Sequence, residues 1–230
     1  FRSVAQRVRQ EIESFLTDDP LNEAVKATGL GLRSNRPLAY LIAGLGGGTG
    51  GGMFTDLAYL MRHELRQVGY LKPEVVGLFF VPPTEKASPR SAALGNTFAA
   101  LTELSHFQGK KTRYQVTFDK SEAPVLDTDA PFARTAILEL SNSSTPSALG
   151  AVTGEAARAL YHELLTPAGR VIDEVRDVYR NAFPSLNPTC QTFGLFRLNW
   201  PRDEVLVAAT RRFTQRLVQR WMAKESAHLR

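Results

Sequence analysis

Residues 46 to 52 read Gly-Gly-Gly-Thr-Gly-Gly-Gly, with Thr49 supplying the one side chain in the run. A backbone stripped of side chains lets a ligand come within hydrogen-bonding distance of the peptide N–H groups. Where such a run joins a buried strand to a helix, its amides converge at the positive end of the helix dipole, which suits phosphate oxygens. The hydroxyl of Thr49 can donate to a terminal phosphate or hold a metal-bound water. Glycine also costs chain entropy, which argues against a plain hinge with no ligand.

Other glycine-based sites fit less well. A P-loop requires Gly-x4-Gly-Lys-Ser/Thr, and no lysine lies between Arg33 and Lys72. The dinucleotide fingerprint Gly-x-Gly-x-x-Gly can be laid on Gly46, Gly48 and Gly51, but the next strand ends in Val81-Pro82-Pro83 with no acidic residue placed to hold a ribose. His63, His106, His162 and His228 are isolated, and His63-Glu64 lacks the second histidine of a zinc protease. No Gly-x-Ser-x-Gly elbow presents a serine, and Cys190, the single cysteine, is expected to be a buried structural thiol. No metal ligands are assigned.

The elements around the glycine run follow from apolar spacing. Phe1, Val4, Val8, Ile12 and Phe15 recur every three or four residues and predict an amphipathic helix. After a link punctuated by Gly29, Gly31 and Pro37, Leu38–Ala43 is a continuously apolar strand, the pattern of a sheet covered on both faces. A helix is expected from Met53 to Val68, a strand from Val75 to Val81, a helix from Leu94 to Phe107, weak alternation from Tyr114 to Phe118 and a third strand from Thr135 to Leu140. Helices from Ala148 to Leu165 and from about Gly169 to Phe183, a strand around Phe193 to Leu198, and a helix from Asp203 to Met222 complete the reading. Alternating strands and helices predict an α/β parallel sheet with right-handed crossovers. A single domain over 1–230 is expected, with its core at about 36–165 and a C-terminal extension at about 166–230.

The chain of 230 residues, 43% of them apolar, is long enough for one such core. No apolar run spans a bilayer, the one cysteine cannot make an internal disulfide and no Cys/His cluster has zinc spacing, so a cytoplasmic setting is expected. Phe1 replaces the usual Met without signal-peptide character, which predicts that upstream sequence has been cut away. The net charge of +5 suits nucleic acid or an anionic surface, but the basic residues are mostly scattered, and no nucleic-acid partner is expected. Arg211, Arg212, Arg216 and Arg220, beside Trp221, suit a lipid or an acidic partner; a solvated helix face is the reading preferred from sequence.

Gly46 to Gly52, followed by Met53-Phe54-Thr55, closely resembles the tubulin/FtsZ signature Gly-Gly-Gly-Thr-Gly-(Ser/Thr/Ala)-Gly, departing only at Gly51. Divergent bacterial tubulin-like proteins fit best. The resemblance, spread over about residues 38–165, implies a three-layer parallel sheet with helices on both faces and GTP or GDP as ligand. It places the phosphates on Gly46, Gly47, Gly48, Thr49, Gly50, Gly51 and Gly52, with Mg2+ carried by the phosphates. Gly95-Asn96-Thr97 is similar to the family's Tyr-Asn segment, which offers Asn96 to the nucleotide or leaves it as a cap or turn residue. Leu140-Ser141-Asn142 is similar to the strand end whose asparagine reads the guanine edge; an amide has the required donor and acceptor, and an Asx turn is the competing role for Asn142.

Hydrolysis in that family uses an acidic pair from the neighbouring subunit. The nearest match is Asn199-Trp200-Pro201-Arg202-Asp203-Glu204, where Pro201 stands in for the first carboxylate and Glu204 falls at the second. Asp203 and Glu204 also suit the first turn of a helix. The family's first glycine loop has no counterpart before residue 46, which implies a fragment lacking the N-terminal strand or a degenerate relative. The expected function is a filament-forming GTPase assembling head to tail. A nucleotide-holding scaffold without hydrolysis and a dinucleotide-dependent enzyme are the alternatives.

Overall fold

Val75 to Phe79 is buried at every position, as a strand must be when both faces of its sheet are covered. This strand, β2 (Glu74–Val81), lies between β1 (Leu38–Gly44) and β5 (Arg134–Glu139), and both neighbours run parallel to it. The computed structural model describes residues 2–15, 18–29, 37–84, 91–109, 112–118, 123–140, 145–182, 191–192 and 202–228. The chain divides into two units, Phe1–Gly194 and Leu195–Arg230.

Alternation along β2 separates two cores. Val75 and Phe79 pack with Leu41, Leu45, Phe54, Ala58, Ala100 and Leu104, which come from β1, the turn after it, α3 (Gly48–Gln67) and α4 (Ser91–Phe107). Leu78 points the other way and meets Ala136 of β5 and Ala156 of α5 (Pro146–Leu165). Phe54 sits edge-on to Phe79, ring centroids 5.2 Å apart, and stacks on Phe132 at 6.1 Å. Burying each of these large side chains contributes about 1.5–3 kcal/mol, so the contact of α3 with the sheet is fixed firmly.

A hairpin of β3 (Tyr114–Val116) and β4 (Val125–Asp127) lies against α3. Tyr114 stacks on Tyr59 at 3.8 Å and donates its hydroxyl to Asp56 at 2.6 Å. Arg62, only 5% exposed, donates through Nε to Asp127 at 2.8 Å, and Arg66 donates to the same carboxylate at 2.7 Å. Burial alone raises the Asp127 carboxyl, but the bonds from Arg62 and Arg66 outweigh it and hold the group below its ordinary value. At the chain's start, α1 (Arg2–Phe15) is tied to α3 by a bidentate pair from Arg9 to Glu64 at 2.8 and 2.9 Å.

Three elements differ from the expectation. Residues Asp18–Thr28 form a helix, α2, where a link was expected, opened by the Asp18-Asp19-Pro20 start signal. β4 was not anticipated because three residues carry too little alternation to register. Helix α3 begins at Gly48, five residues before Met53, because backbone packing against β1 outweighs the poor helix propensity of glycine. The strand expected at 193–198 lies outside the described residues. Just before it Gln191 pairs in parallel with Ala136, accepting from Ile137 N at 2.8 Å. In the C-terminal unit, α7 (Arg202–His228) extends the expected helix at its far end. Among the described residues no helix is long and apolar enough to cross a membrane.

Candidate functional site

All three parallel strands finish at one edge. Gly44 pairs with Phe80 and Val81 pairs with Glu139, so the turn after β1, the Pro82–Thr84 segment after β2 and Leu140 after β5 are neighbours. Leu45 N donates to Phe80 O at 2.9 Å and Leu140 N to Val81 O at 2.8 Å, carrying the ladder to the sheet's limit. Ligands of open α/β sheets sit outside this carboxyl edge. Thr84 is fixed there by Glu139, whose Oε1 accepts from the backbone N–H at 2.7 Å and the hydroxyl at 3.2 Å.

The glycine run divides by role at this edge. Leu45, Gly46 and Gly47 make the turn, and Gly48 to Gly52 already belong to α3. None of them uses the left-handed backbone region, which among the described glycines is taken only by Gly29 and Gly69. Close approach is the requirement instead. A Cβ on Gly50 would lie 2.2 Å from Gly44 O, and one on Gly51 would lie 2.5 Å from Leu45 O. These two glycines let the first turn of α3 lie directly on the end of β1. Gly48 and Gly52, four residues apart and therefore on one face, would meet nothing within 4 Å. The fold gives no steric reason for glycine at these two exposed positions.

The electrostatics favour an anion at that open face. Gly47 is the N-cap, with φ −96° and ψ 151°, and no side chain caps the helix. The first intrahelical bond runs from Gly51 N to Gly47 O at 2.9 Å, so the amides of Gly48, Thr49 and Gly50 come before it and have no helical acceptor. Thr49 is exposed beside them. Asn96, inside α4 rather than at its cap, donates Nδ2 to Gly46 O at 3.1 Å and braces the turn.

Of the other sequence-predicted residues, Asn142 lies outside the described residues. Asp203 and Glu204 occupy the first turn of α7, as helix-dipole preference predicts. They belong to the C-terminal unit. Among the described residues no cluster of His, Cys, Asp or Glu is arranged to hold a metal ion.

A second polar cluster escaped sequence reasoning because its members are scattered along the chain. Glu163 of α5, 4% exposed, accepts from Tyr40 Oη at 3.0 Å, from Arg176 at 3.0 and 3.1 Å, and from Arg134. Arg176 comes from α6 (Ala168–Ala182), so the carboxylate joins β1, β5, α5 and α6. Burial raises the Glu163 carboxyl, but the bonds from Arg176 and Arg134 and their charges prevail and bring it down to about 2. Burial, reinforced by Glu163, pushes Tyr40 up to about 12 against the opposing pull of Arg134, so the phenol stays a donor.

Glu163 therefore titrates lower in the folded than in the unfolded chain. Its contribution to stability is complete above its ordinary value of 4.5 and is lost as pH falls towards about 2. A shift of that size corresponds to about 3 kcal/mol. In urea melts at a series of pH values, Glu163→Gln is expected to be less stable than the parent at pH 7 and to show a flatter acid limb. Parallel curves for the two chains would contradict this assignment.

A family model described as tubulin-like matches residues 1–219. No curated protein and no solved structure matches the chain.

Proposed function

The chain belongs to the tubulin-like family, and from that premise we propose that it binds a guanine nucleotide, GTP or GDP, with the phosphates over the amino end of α3. The observation that carries this reading is the pair of exposed glycines, Gly48 and Gly52, whose missing side chains leave open space beside three amides that have no helical acceptor. Thr49 is the hydroxyl placed to meet a phosphate or a water on its magnesium, which the phosphates would carry. Asn96 holds the carbonyl of Gly46 and so fixes the turn's geometry. Asn142, two residues after Leu140 in sequence, is assigned to the base. The three-layer arrangement of the family fits two cores on opposite faces of β2.

In the same reading the protein assembles head to tail, and Glu204 with Asp203 of one subunit orients water at the terminal phosphate held by the next. Replacement of the first acid by Pro201 favours a second reading, a scaffold that holds nucleotide without cleaving it. Phosphate release in the presence of GTP separates the two.

Thermal unfolding of the full chain with GTP, ATP or NAD tests the binding itself. A ligand at a hundred times its dissociation constant stabilises by about 2.7 kcal/mol, which raises the melting temperature of a chain this size by roughly 5–10 °C. That rise is expected with GTP and GDP and not with NAD. A rise with NAD alone would overturn the assignment in favour of a dinucleotide site.

A further inference from the structure

Within helix α7 (Arg202–His228), the stretch from Val205 to Met222 carries apolar and basic side chains that nucleotide binding does not use. Leu206, Phe213, Leu217 and Trp221 are spaced by seven, four and four residues and therefore share one face. Val207, Val218 and Met222 flank them on its other side, so apolar residues cover about half the circumference. Phe213 is 64% exposed and Trp221 65%, while Leu217 is half-buried. Arg212 and Arg216 lie on the far side, Arg220, seven residues after Phe213, borders the apolar face at one edge, and Arg211, seven before Val218, stands among the flanking residues at the other. From Val205 to Met222 there is no acidic residue.

We propose that α7 lies in the interface of an anionic membrane, with Leu206, Phe213, Leu217 and Trp221 among the acyl chains and the arginines against the headgroups. The charge decides between occupants. A half-buried helix in lipid wants an apolar side, a cationic border and an aromatic at the boundary, and α7 has all three. Nucleic acid would engage the arginines and leave Phe213 and Trp221 in water. A partner helix in a coiled coil needs only a narrow seam and borders of mixed charge. Helix α6 (Ala168–Ala182) makes the contrast within this chain: its exposed Val171, Val175 and Val178 are accompanied by Asp173, Glu174 and Asp177, which an anionic surface would repel.

Sedimentation of the full chain with vesicles tests this. With phosphatidylserine–phosphatidylcholine vesicles the chain is expected to pellet, and with phosphatidylcholine alone to bind at least about tenfold more weakly. Raising salt from about 0.1 to 1 M, which shortens the screening length to about 3 Å, should release most of it. Charge reversal at Arg212→Glu, Arg216→Glu and Arg220→Glu should remove the preference for anionic vesicles, and Phe213→Ser with Trp221→Ser should remove binding to both. Because α7 is exposed, the circular dichroism of these chains should match the parent. Pelleting that needs no vesicles, equal affinity for both vesicle types, or undiminished binding by either variant set would overturn the proposal.

Discussion

Gly50→Ala is expected to prevent the Phe1–Gly194 unit from folding. The new methyl would lie 2.2 Å from Gly44 O, and both the strand end and the helix start are backbone that no rotamer change can move. Relief requires lifting α3 from β1, which opens the contact that buries Leu45, Phe54 and Ala58. Overpacking usually costs ~1–3 kcal/mol, and a clash with backbone costs more, against a total stability of about 5–15 kcal/mol. The measurement is the far-ultraviolet melt of purified protein, with Gly51→Ala (2.5 Å from Leu45 O) expected to behave alike. Gly52→Ala, which meets nothing within 4 Å, should melt at or above the parent because alanine is the better helix former by about 1 kcal/mol. A stable Gly50→Ala chain would refute the close approach of α3 to β1.

Gly48→Asp is expected to fold at least as well as the parent and to lose nucleotide stabilisation entirely. The position is the first residue of α3, where a carboxylate favours the helix dipole by about 0.3–1 kcal/mol, and the added side chain has free space. The same carboxylate would occupy the anion's place and repel phosphate. Stability and binding then move in opposite directions, which general damage to the fold cannot produce. Thermal melts with and without GTP read both at once; retention of the GTP-induced rise would place the phosphates elsewhere.

These two substitutions separate what sequence conveys from what it hides. The apolar run at Val75–Val81 and the strand expected at Thr135–Leu140 survive as β2 and β5. The glycine run was read as letting a ligand approach the backbone, but at Gly50 and Gly51 the close neighbour is the end of β1. Sequence could not reveal that Gly50 and Gly51 are required by β1 while Gly48 and Gly52 are not, because that depends on which way the helix faces. The start of α3 was misplaced for the same reason: glycine opposes helix locally, and tertiary packing overrides it. The family resemblance offered Asn96 to the nucleotide or left it as a cap or turn residue, whereas its contact with Gly46 O needs the packing of α4 beside α3. The Glu163 cluster left no local trace, since Tyr40, Arg134, Glu163 and Arg176 meet only after the sheet and two helices have assembled. The arginines of α7 were visible from the start, but the apolar face beside them gained meaning only when its exposure was known.

Amide resonances of the chain, followed while GDP is added, test the central claim most directly. If phosphate is held at the amino end of α3, the N–H groups of Gly48, Thr49 and Gly50 shift first and furthest and saturate together with the thermal stabilisation. Saturable binding that leaves those three amides unmoved would show that the nucleotide is held somewhere other than the mouth of this helix.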